Sequence, residues 1–541
     1  MKNLLIILLL LLLPGTHWAQ VNFTDSDLPI IAINTGGQSI PNDPKITADM
    51  KVFFNGSGKR NKTTDPPTAY NNKIGIELRG QSSQGQPLRS YDIELRDPAG
   101  VELNAPLLGM APESDWVLYA PYMDKTLMRN FLAYTLSRRM GRWASDVRYV
   151  ELVLNNEYQG IYLLVEKIKR DSSRVNIADL LPTDNAGIEL TGGYIFSLDK
   201  QPNGWFSSYP SPSTTTNATR QFSYVYPRLS VITPQQKEYL KNTVDEFERA
   251  LAGPQFQDPG QGVRKHANLS SFIDFFIINE ISKNIDGYRL STYLYKDKNV
   301  KDGRIHAGPV WDFDLGFKNA DYCAGNQIFG WGYRFNFVCP SDGAGAVPFW
   351  WERLTIDTGF LSSLRCRWVS LRTGILSDDA VDRLIDSADR VTTEARARHF
   401  SKWDLRGTTW WRGQFPIQGY EAERETMRAW IKARMNWLDQ NIQNTGACGD
   451  WPSNNAENII ISTFPNPFKG SGFLFIKSRE SQGVTVEVVN SVGRTIMRTT
   501  KNVFKGDNKI SMNGDYWPAG VYQIMVTAAT GEKSVFRLIK Q

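Results

Sequence analysis

The chain has 541 residues, 41% hydrophobic and 22% charged, with a formal net charge of +6. That length admits about three domains, and the small charge, with no basic run or helix stripe beside it, excludes a nucleic-acid-binding footprint. Aromatics make up 12% of the chain, 16 of them Trp, which suits a large aromatic core or a carbohydrate-facing surface.

At the N-terminus Lys2 precedes the unbroken apolar run Leu4 to Leu13, then a Pro14-Gly15 break and Ala19. This pattern predicts a secretory signal peptide over 1–19. No other run approaches the length of a membrane-spanning helix, so no transmembrane segment is expected in the mature chain. Residues 20 to 100 are β-rich, with strand patterns at Ile30-Ile31-Ala32-Ile33, Lys51 to Phe54, Gly75 to Arg79 and Tyr91 to Leu95. An amphipathic helix is expected over Thr126 to Met140, ending near Gly141. A hairpin follows, from Tyr149 to Leu154 through Asn155-Asn156 to Gly160 to Val165, and then a short strand over Thr191 to Leu198. Residues 201 to 220 are rich in Ser, Thr, Pro and Asn and read as a loop. Helical periodicity marks Pro234 to Leu251, Leu269 to Ser282 and Glu421 to Asn441.

Four cysteines fit an oxidising compartment, and their spacing matches no zinc pattern. Cys323 with Cys339 would close a loop directly after an acidic cluster. Cys366 with Cys448 would tie the end of the main domain to its body; the alternative is buried free thiols.

Three segments carry candidate chemistry. The loop Arg79 to Gly85 lies between two strands, and its backbone N–H groups, with Arg79, Ser82 and Ser83, could cover phosphates; a plain turn is the bland alternative. Asp286 sits on a loop just beyond an apolar helix, a placement that suits a catalytic carboxylate and equally a helix cap. In Trp311-Asp312-Phe313-Asp314, an extended backbone would point both carboxylates the same way. Such a pair repels itself unless a cation lies between, and Mg²⁺ favours hard oxygen ligands. With four His in the chain, a His-based metalloenzyme is not expected.

Residues 446–458 read as a linker: small, polar and Pro-containing. Residues 459–541 then turn to short strands, the size of one Ig-like module, with Val484, Val486 and Val488 alternating with polar residues. Phe464-Pro465-Asn466-Pro467-Phe468 and Pro518-Ala519-Gly520-Val521-Tyr522 make this module resemble the type A C-terminal sorting domain of the type IX secretion system of Bacteroidetes. The resemblance implies dealings with that secretion machinery and delivery to the cell surface or the exterior.

The segment 20–445 reads as one domain, and from about Leu28 to Leu438 it resembles the spore coat protein H (CotH) kinase family. The resemblance runs through Leu78-Arg79-Gly80-Gln81-Ser82-Ser83, Arg89-Ser90-Tyr91, Asp115-Trp116-Val117-Leu118, Asp124 to Asn130, Gly160 to Lys167 and Gly193 to Phe196. It ends on Asn284 to Asp297 and Gly308 to Phe317. It implies an α+β fold with an atypical protein-kinase-like domain, followed here by the small all-β sandwich. It also implies use of ATP and Mg²⁺ or Mn²⁺ to phosphorylate Ser or Thr on an exported protein substrate. Asp286 would then take the acceptor's proton and Asp312 and Asp314 would hold metal. Ser291 stands where a kinase catalytic loop carries its metal-binding Asn, five residues after Asp. Arg89 stands, as Leu88-Arg89, where the family usually carries a Lys pair; Arg89 or Lys167 would face the phosphates, with Glu166 beside the nucleotide. Asp124 and Arg129 would orient the site or simply cap and brace a helix. Two other readings remain. One is a non-catalytic kinase-like adhesion or coat-assembly protein; the other is a secreted glycan hydrolase with two opposed carboxylates.

Overall fold

The computed structural model describes residues 21–541 except 82, 201, 216–217, 343–344, 404–418, 444–447, 449–458, 465–467, 479, 491–493, 530, 532 and 541. The expected signal peptide, Ser82, and nearly all of the expected linker therefore lie outside the described residues. The chain forms two compact units, Met1–Trp451 and Pro452–Gln541.

The first unit opens with a closed seven-stranded barrel. Its strands are β1 (Ile30–Asn34), β2 (Ile46–Phe53), β3 (Tyr70–Arg79), β4 (Ser90–Leu95), β5 (Asp115–Tyr119), β6 (Val147–Leu154) and β7 (Glu157–Glu166), in the order β1-β2-β3-β4-β5-β7-β6. β1 runs parallel to β6, which closes the barrel; the other pairs are antiparallel. Asn155 and Asn156 both take positive φ, 50° and 64°, and so supply the tight turn between β6 and β7. Ile31, Ile76, Ile93, Trp116, Leu152 and Leu164 fill the barrel. Val117, Ile161, Leu163 and Val165, on the opposite faces of β5 and β7, pack into a second core with the helices. Burial on both faces explains why Ile161 to Val165 is an unbroken apolar run.

Helix α1 spans Arg129–Arg139, starting later than its periodicity predicts. Leu127 sits at φ 60°, and the Asp124 carboxylate accepts the Arg129 N–H at 2.7 Å. A five-stranded sheet follows, from β8 (Tyr194–Leu198), β9 (Phe206–Pro210), β10 (Thr219–Tyr226), β11 (Thr292–Lys296) and β12 (His306–Ala307), in the order β9-β10-β8-β11-β12. β9 and the start of β10 fall inside the segment read as a loop. Pairing with each other, and through the rest of β10 with β8, gives these Ser- and Thr-rich residues a ladder that their composition does not announce.

The remaining long helices are α2 (Pro234–Ala252), α3 (Leu269–Ser282), α4 (Thr358–Arg372), α5 (Asp378–Lys402) and α6 (Tyr420–Asn441). α2 opens with a reciprocal capping box between Thr233 and Gln236. α3 is buried along almost its whole length, as its apolar sequence demands. Cys323–Cys339 and Cys366–Cys448 are disulfide-bonded.

The second unit is all β. A three-stranded sheet (Ile459–Phe464, Ser471–Ser478, Gly506–Asn513) and a four-stranded sheet (Thr495–Val503, Gln482–Asn490, Gly520–Ala528, Lys533–Lys540) share one core. Leu474, Ile476, Ile524 and Leu538 meet there with the alternating Val484, Val486 and Val488.

Candidate active site

A cleft of about 510 Å³ in the first unit gathers side chains from the barrel, from α1, from the β8–β11 pair and from the segment after β12. Arg79, Ser83, Asp286, Ser291, Asp312 and Asp314 all line it. Residues almost 240 positions apart thus meet as the sequence motifs require.

Asp286 reaches the cleft because α3 ends in a left-handed residue, Lys283 at φ 44°, which swings the chain into a tight turn. Gly287 fills that turn, since a Cβ there would lie 2.2 Å from the Asn279 amide oxygen. Arg289, 1% exposed, donates to Asp286 Oδ1 at 3.0 Å, and Lys200 Nζ lies 3.9 Å from Oδ2. Asn284 accepts the Asp286 N–H at 3.2 Å and donates to the Asp312 carbonyl at 3.1 Å. The two acidic segments are therefore joined by one side chain.

Asp312 is not extended. Its φ is 64°, and α1 holds it there. Tyr134 OH accepts the Asp312 N–H at 3.0 Å, and Asn130, four residues earlier on the same helix face, accepts the Phe313 N–H at 2.6 Å. Phe313 plugs into the core at 1% exposure, which leaves Asp312 and Asp314 on the cleft side. Ser291 Oγ donates to Asp312 Oδ2 at 3.5 Å. Burial, then repulsion from Asp286, pushes Asp312 up to about 6. Burial, then Asp312, Asp286 and Asp124, raises Asp314 well above the usual carboxylate range.

Two cleft residues escape sequence reasoning. Antiparallel pairing sets Leu198 against Thr292, so the next residues, Asp199 and Ser291, face one another where the strands end. Asp199 and Lys200 both line the cleft; burial raises Asp199, whose carboxylate accepts the Lys200 N–H at 2.7 Å. No motif in the sequence flags this pair; the signal is the register of a strand pair almost 100 residues apart.

Other expected residues fall elsewhere. The Arg89 side chain is exposed and does not line the cleft. Its strand neighbours Ser90 and Asp92 do, and strand alternation turns Arg89 to the other face. Lys167 is spent on Asp92 at 3.0 Å, whose other oxygen takes Arg79 at 2.5 Å. Burial works to raise Asp92, but Arg79 and Lys167 outweigh it and hold it at about 2. Glu166 is turned away, accepting the Asp146 N–H at 2.9 Å, with burial raising its affinity for a proton. Arg129 is fully buried between Asp124 (2.5 Å) and Glu423 (2.8 Å), bracing α1 against α6.

At the glycine-rich turn, Gly80 takes φ 98°, and a Cβ there would meet Ser83 Oγ at 2.0 Å. The turn is therefore held tight against the cleft by a residue only Gly can supply. Among the described residues, one group of three carboxylates lies close enough together to share a cation, Glu102, Glu113 and Asp115. Lys169 already sits among them, 2.9 Å from Glu113 and 2.8 Å from Asp115. The cleft carboxylates are not drawn that tightly together. They suit a divalent ion that takes one or two carboxylates and completes its shell with water and phosphate oxygens.

Residues 76–438 match the CotH kinase protein family, and residues 462–541 match the secretion system C-terminal sorting domain. No curated protein matches the chain. Three structures of β-glucosidase from Listeria innocua resemble part of it. They are a mutant in complex with laminaribiose (10% identity), the enzyme itself (11%) and the complex with isofagomine (10%). Each covers 15% of this chain and 16% of the glucosidase chain at a TM-score of 0.12, a likeness that carries no argument. The sorting domain directs the protein through type IX secretion to the cell surface or the exterior. No described helix is long and apolar enough to cross a membrane.

Proposed function

Because the chain belongs to the CotH kinase protein family, we propose that its cleft transfers the ATP γ-phosphoryl group to Ser or Thr of an exported protein. On this reading the barrel and the helical part act as the two lobes of a protein-kinase-like arrangement. The observation that carries it is the convergence of Asp199, Asp286, Asp312 and Asp314 in one cleft with Lys200 and the Gly80 turn. Burial first, and then repulsion from neighbouring carboxylates, raises the proton affinity of three of them, so the cleft favours added positive charge.

A bound Mg²⁺–ATP or Mn²⁺–ATP would supply that charge and the phosphoryl group. Asp312 and Asp314 would hold the metal, with Ser291 orienting Asp312. Lys200 takes the part of phosphate cation that the sequence suggested for Arg89 or Lys167. Backbone N–H groups of the Gly80–Ser83 turn would cover the phosphates. Asp286, steadied at Oδ1 by Arg289, would accept the acceptor's hydroxyl proton at Oδ2.

Nucleotide binding and autophosphorylation by the purified protein, with and without each metal, test this. Asp286→Asn is expected to cut phosphotransfer about 10²–10⁴-fold while nucleotide still binds, and Asp312→Ala to abolish metal-dependent binding. A folded protein that binds no nucleotide with either metal would leave the non-catalytic adhesion or coat-assembly reading in its place.

A further inference from the structure

Beside the cleft lies a second depression of about 330 Å³. Its inner wall is Lys283-Asn284-Ile285, the turn that also presents Asp286, so groove and cleft share a partition. Its outer wall is the loop between Cys323 and Cys339. Three large apolar side chains of this loop line the groove and stand in solvent: Phe329 at 58% exposure, Phe337 at 49% and Val338 at 52%.

The loop's backbone is firmly held. Arg434, buried on α6, donates to the carbonyls of Ile328 and Gly330, each at 2.7 Å. Glu280 on α3 accepts the N–H groups of Gly332 (2.8 Å) and Tyr333 (3.0 Å). Trp430 donates to the Asn326 carbonyl at 2.6 Å. A loop anchored from two helices and stapled by a disulfide, yet turning apolar side chains outward, displays them as part of its built shape. Exposed apolar groups clustered in this way mark interaction surfaces.

Two cations flank them. Lys283 lies 5.9 Å from the Phe329 ring, and the Arg334 guanidinium 4.9 Å from the Phe337 ring. The carboxylates that act on them, Glu280 on Lys283 and Glu352 on Arg334, do so without a close ion pair among the described residues. Lys283 is buried and its Nζ is held by the carbonyls of Gln327 (3.1 Å) and Phe329 (2.5 Å), so the exposed Arg334 is the cation that faces an incoming anion.

We propose that this groove docks the acceptor polypeptide, through a segment that presents an apolar side chain next to acidic ones. The proposal rests on the phosphotransfer reading and adds the acceptor's chemistry to it. Anchoring the acceptor against Asn284-Ile285 holds its hydroxyl beside Asp286, which supplies the proximity that a reaction with little covalent chemistry of its own requires. The preformed loop lowers the ordering cost of binding.

Two synthetic fluorescent peptides test the docking on the full-length protein by anisotropy. One carries Ser near a Phe flanked by Glu; the other carries Ser among Gly and Arg. The acidic apolar peptide is expected to bind at least about tenfold more tightly. Phe337→Ser and Arg334→Glu, both on exposed positions, should each erase that preference. The assay needs neither nucleotide nor metal, so a failure of phosphotransfer would leave its outcome intact. Equal binding of the two peptides, or a preference that survives both substitutions, overturns the proposal. So does a dimer in sedimentation that Phe337→Ser dissolves, since a second copy would then be the occupant.

Discussion

Asp312 lines the cleft and carries its backbone strain. A β-carbon at φ 64° costs about 1–2 kcal/mol in the left-handed region, though Asp bears it better than most. Ser291 and Tyr288, at φ 47° and 69°, share the condition within the same turn system. The hydrogen bonds from Asn284 and to Tyr134 keep Asp312 there, and burial beside Asp286 adds electrostatic cost. Strain retained at such a position is a mark of function. Asp312→Gly removes both the β-carbon and the half-buried carboxylate. It is expected to raise the Tm or leave it unchanged while abolishing metal-dependent nucleotide binding. Asp312→Ala keeps the β-carbon and should melt lower than the Gly variant. A Gly variant less stable than the Ala variant would show that the backbone is not strained.

At the scale of elements, α1 and the β8–β11 pair build the cleft by opposite routes, and this decides what the sequence reveals. α1 acts through neighbours four apart, Asn130 and Tyr134, a spacing that helix geometry puts on one face but that only the structure joins to Asp312. The β8–β11 pair acts through register, setting Asp199 and Lys200 against Ser291, and no local pattern encodes register between distant strands. Arg89 illustrates the same gap. Alternation shows that Arg89 and Ser90 face opposite ways, but only the assembled barrel shows which face meets the cleft. Acidic motifs such as Asp286 and Trp311-Asp312-Phe313-Asp314 are legible because their chemistry is unusual wherever they fold. A different interlock joins α2 to β9. Glu248 is fully buried, accepts from Ser207 at 2.8 Å and from Trp350 at 2.8 Å, and burial pushes it up to about 7. Its folded value lies above the ordinary Glu value, so the protonated form stabilises the fold below about pH 4.3 and the contribution is lost as pH rises through 7. The shift corresponds to stability on the order of 3 kcal/mol. Asp312 and Asp314 titrate in the same direction, so the comparison must be with a variant. Glu248→Gln should melt progressively higher than the wild type as pH rises from 5 to 8. Parallel Tm profiles across that range would remove Glu248 from the pH response.

For the whole molecule, the two disulfides divide their labour according to the length of chain that each encloses. Cys366–Cys448 joins α4 to the chain beyond α6 over a separation of 82 residues, whereas Cys323–Cys339 spans 16. Constraint of the unfolded chain grows with loop length, giving about 4.5 kcal/mol for the long loop and about 3 kcal/mol for the short one. The larger number belongs to the bridge that lines neither the cleft nor the groove, and the smaller to the bridge that frames the apolar groove beside Asp286. An exported protein that folds beyond the reach of cytoplasmic reductants can rely on both. Stability and docking should therefore separate. Replacing Cys366 and Cys448 together by Ser is expected to lower the Tm more than replacing Cys323 and Cys339, while leaving the peptide preference of the groove in place. The Cys323→Ser/Cys339→Ser variant should show the reverse, a smaller loss of Tm and a loss of the tenfold preference, because the loop then pays its ordering cost on binding. Calorimetry and anisotropy on the two variants read both quantities. If the short-loop variant kept its preference, the groove would owe its shape to Arg434 and Glu280 alone, and the disulfide would be a brace for stability only.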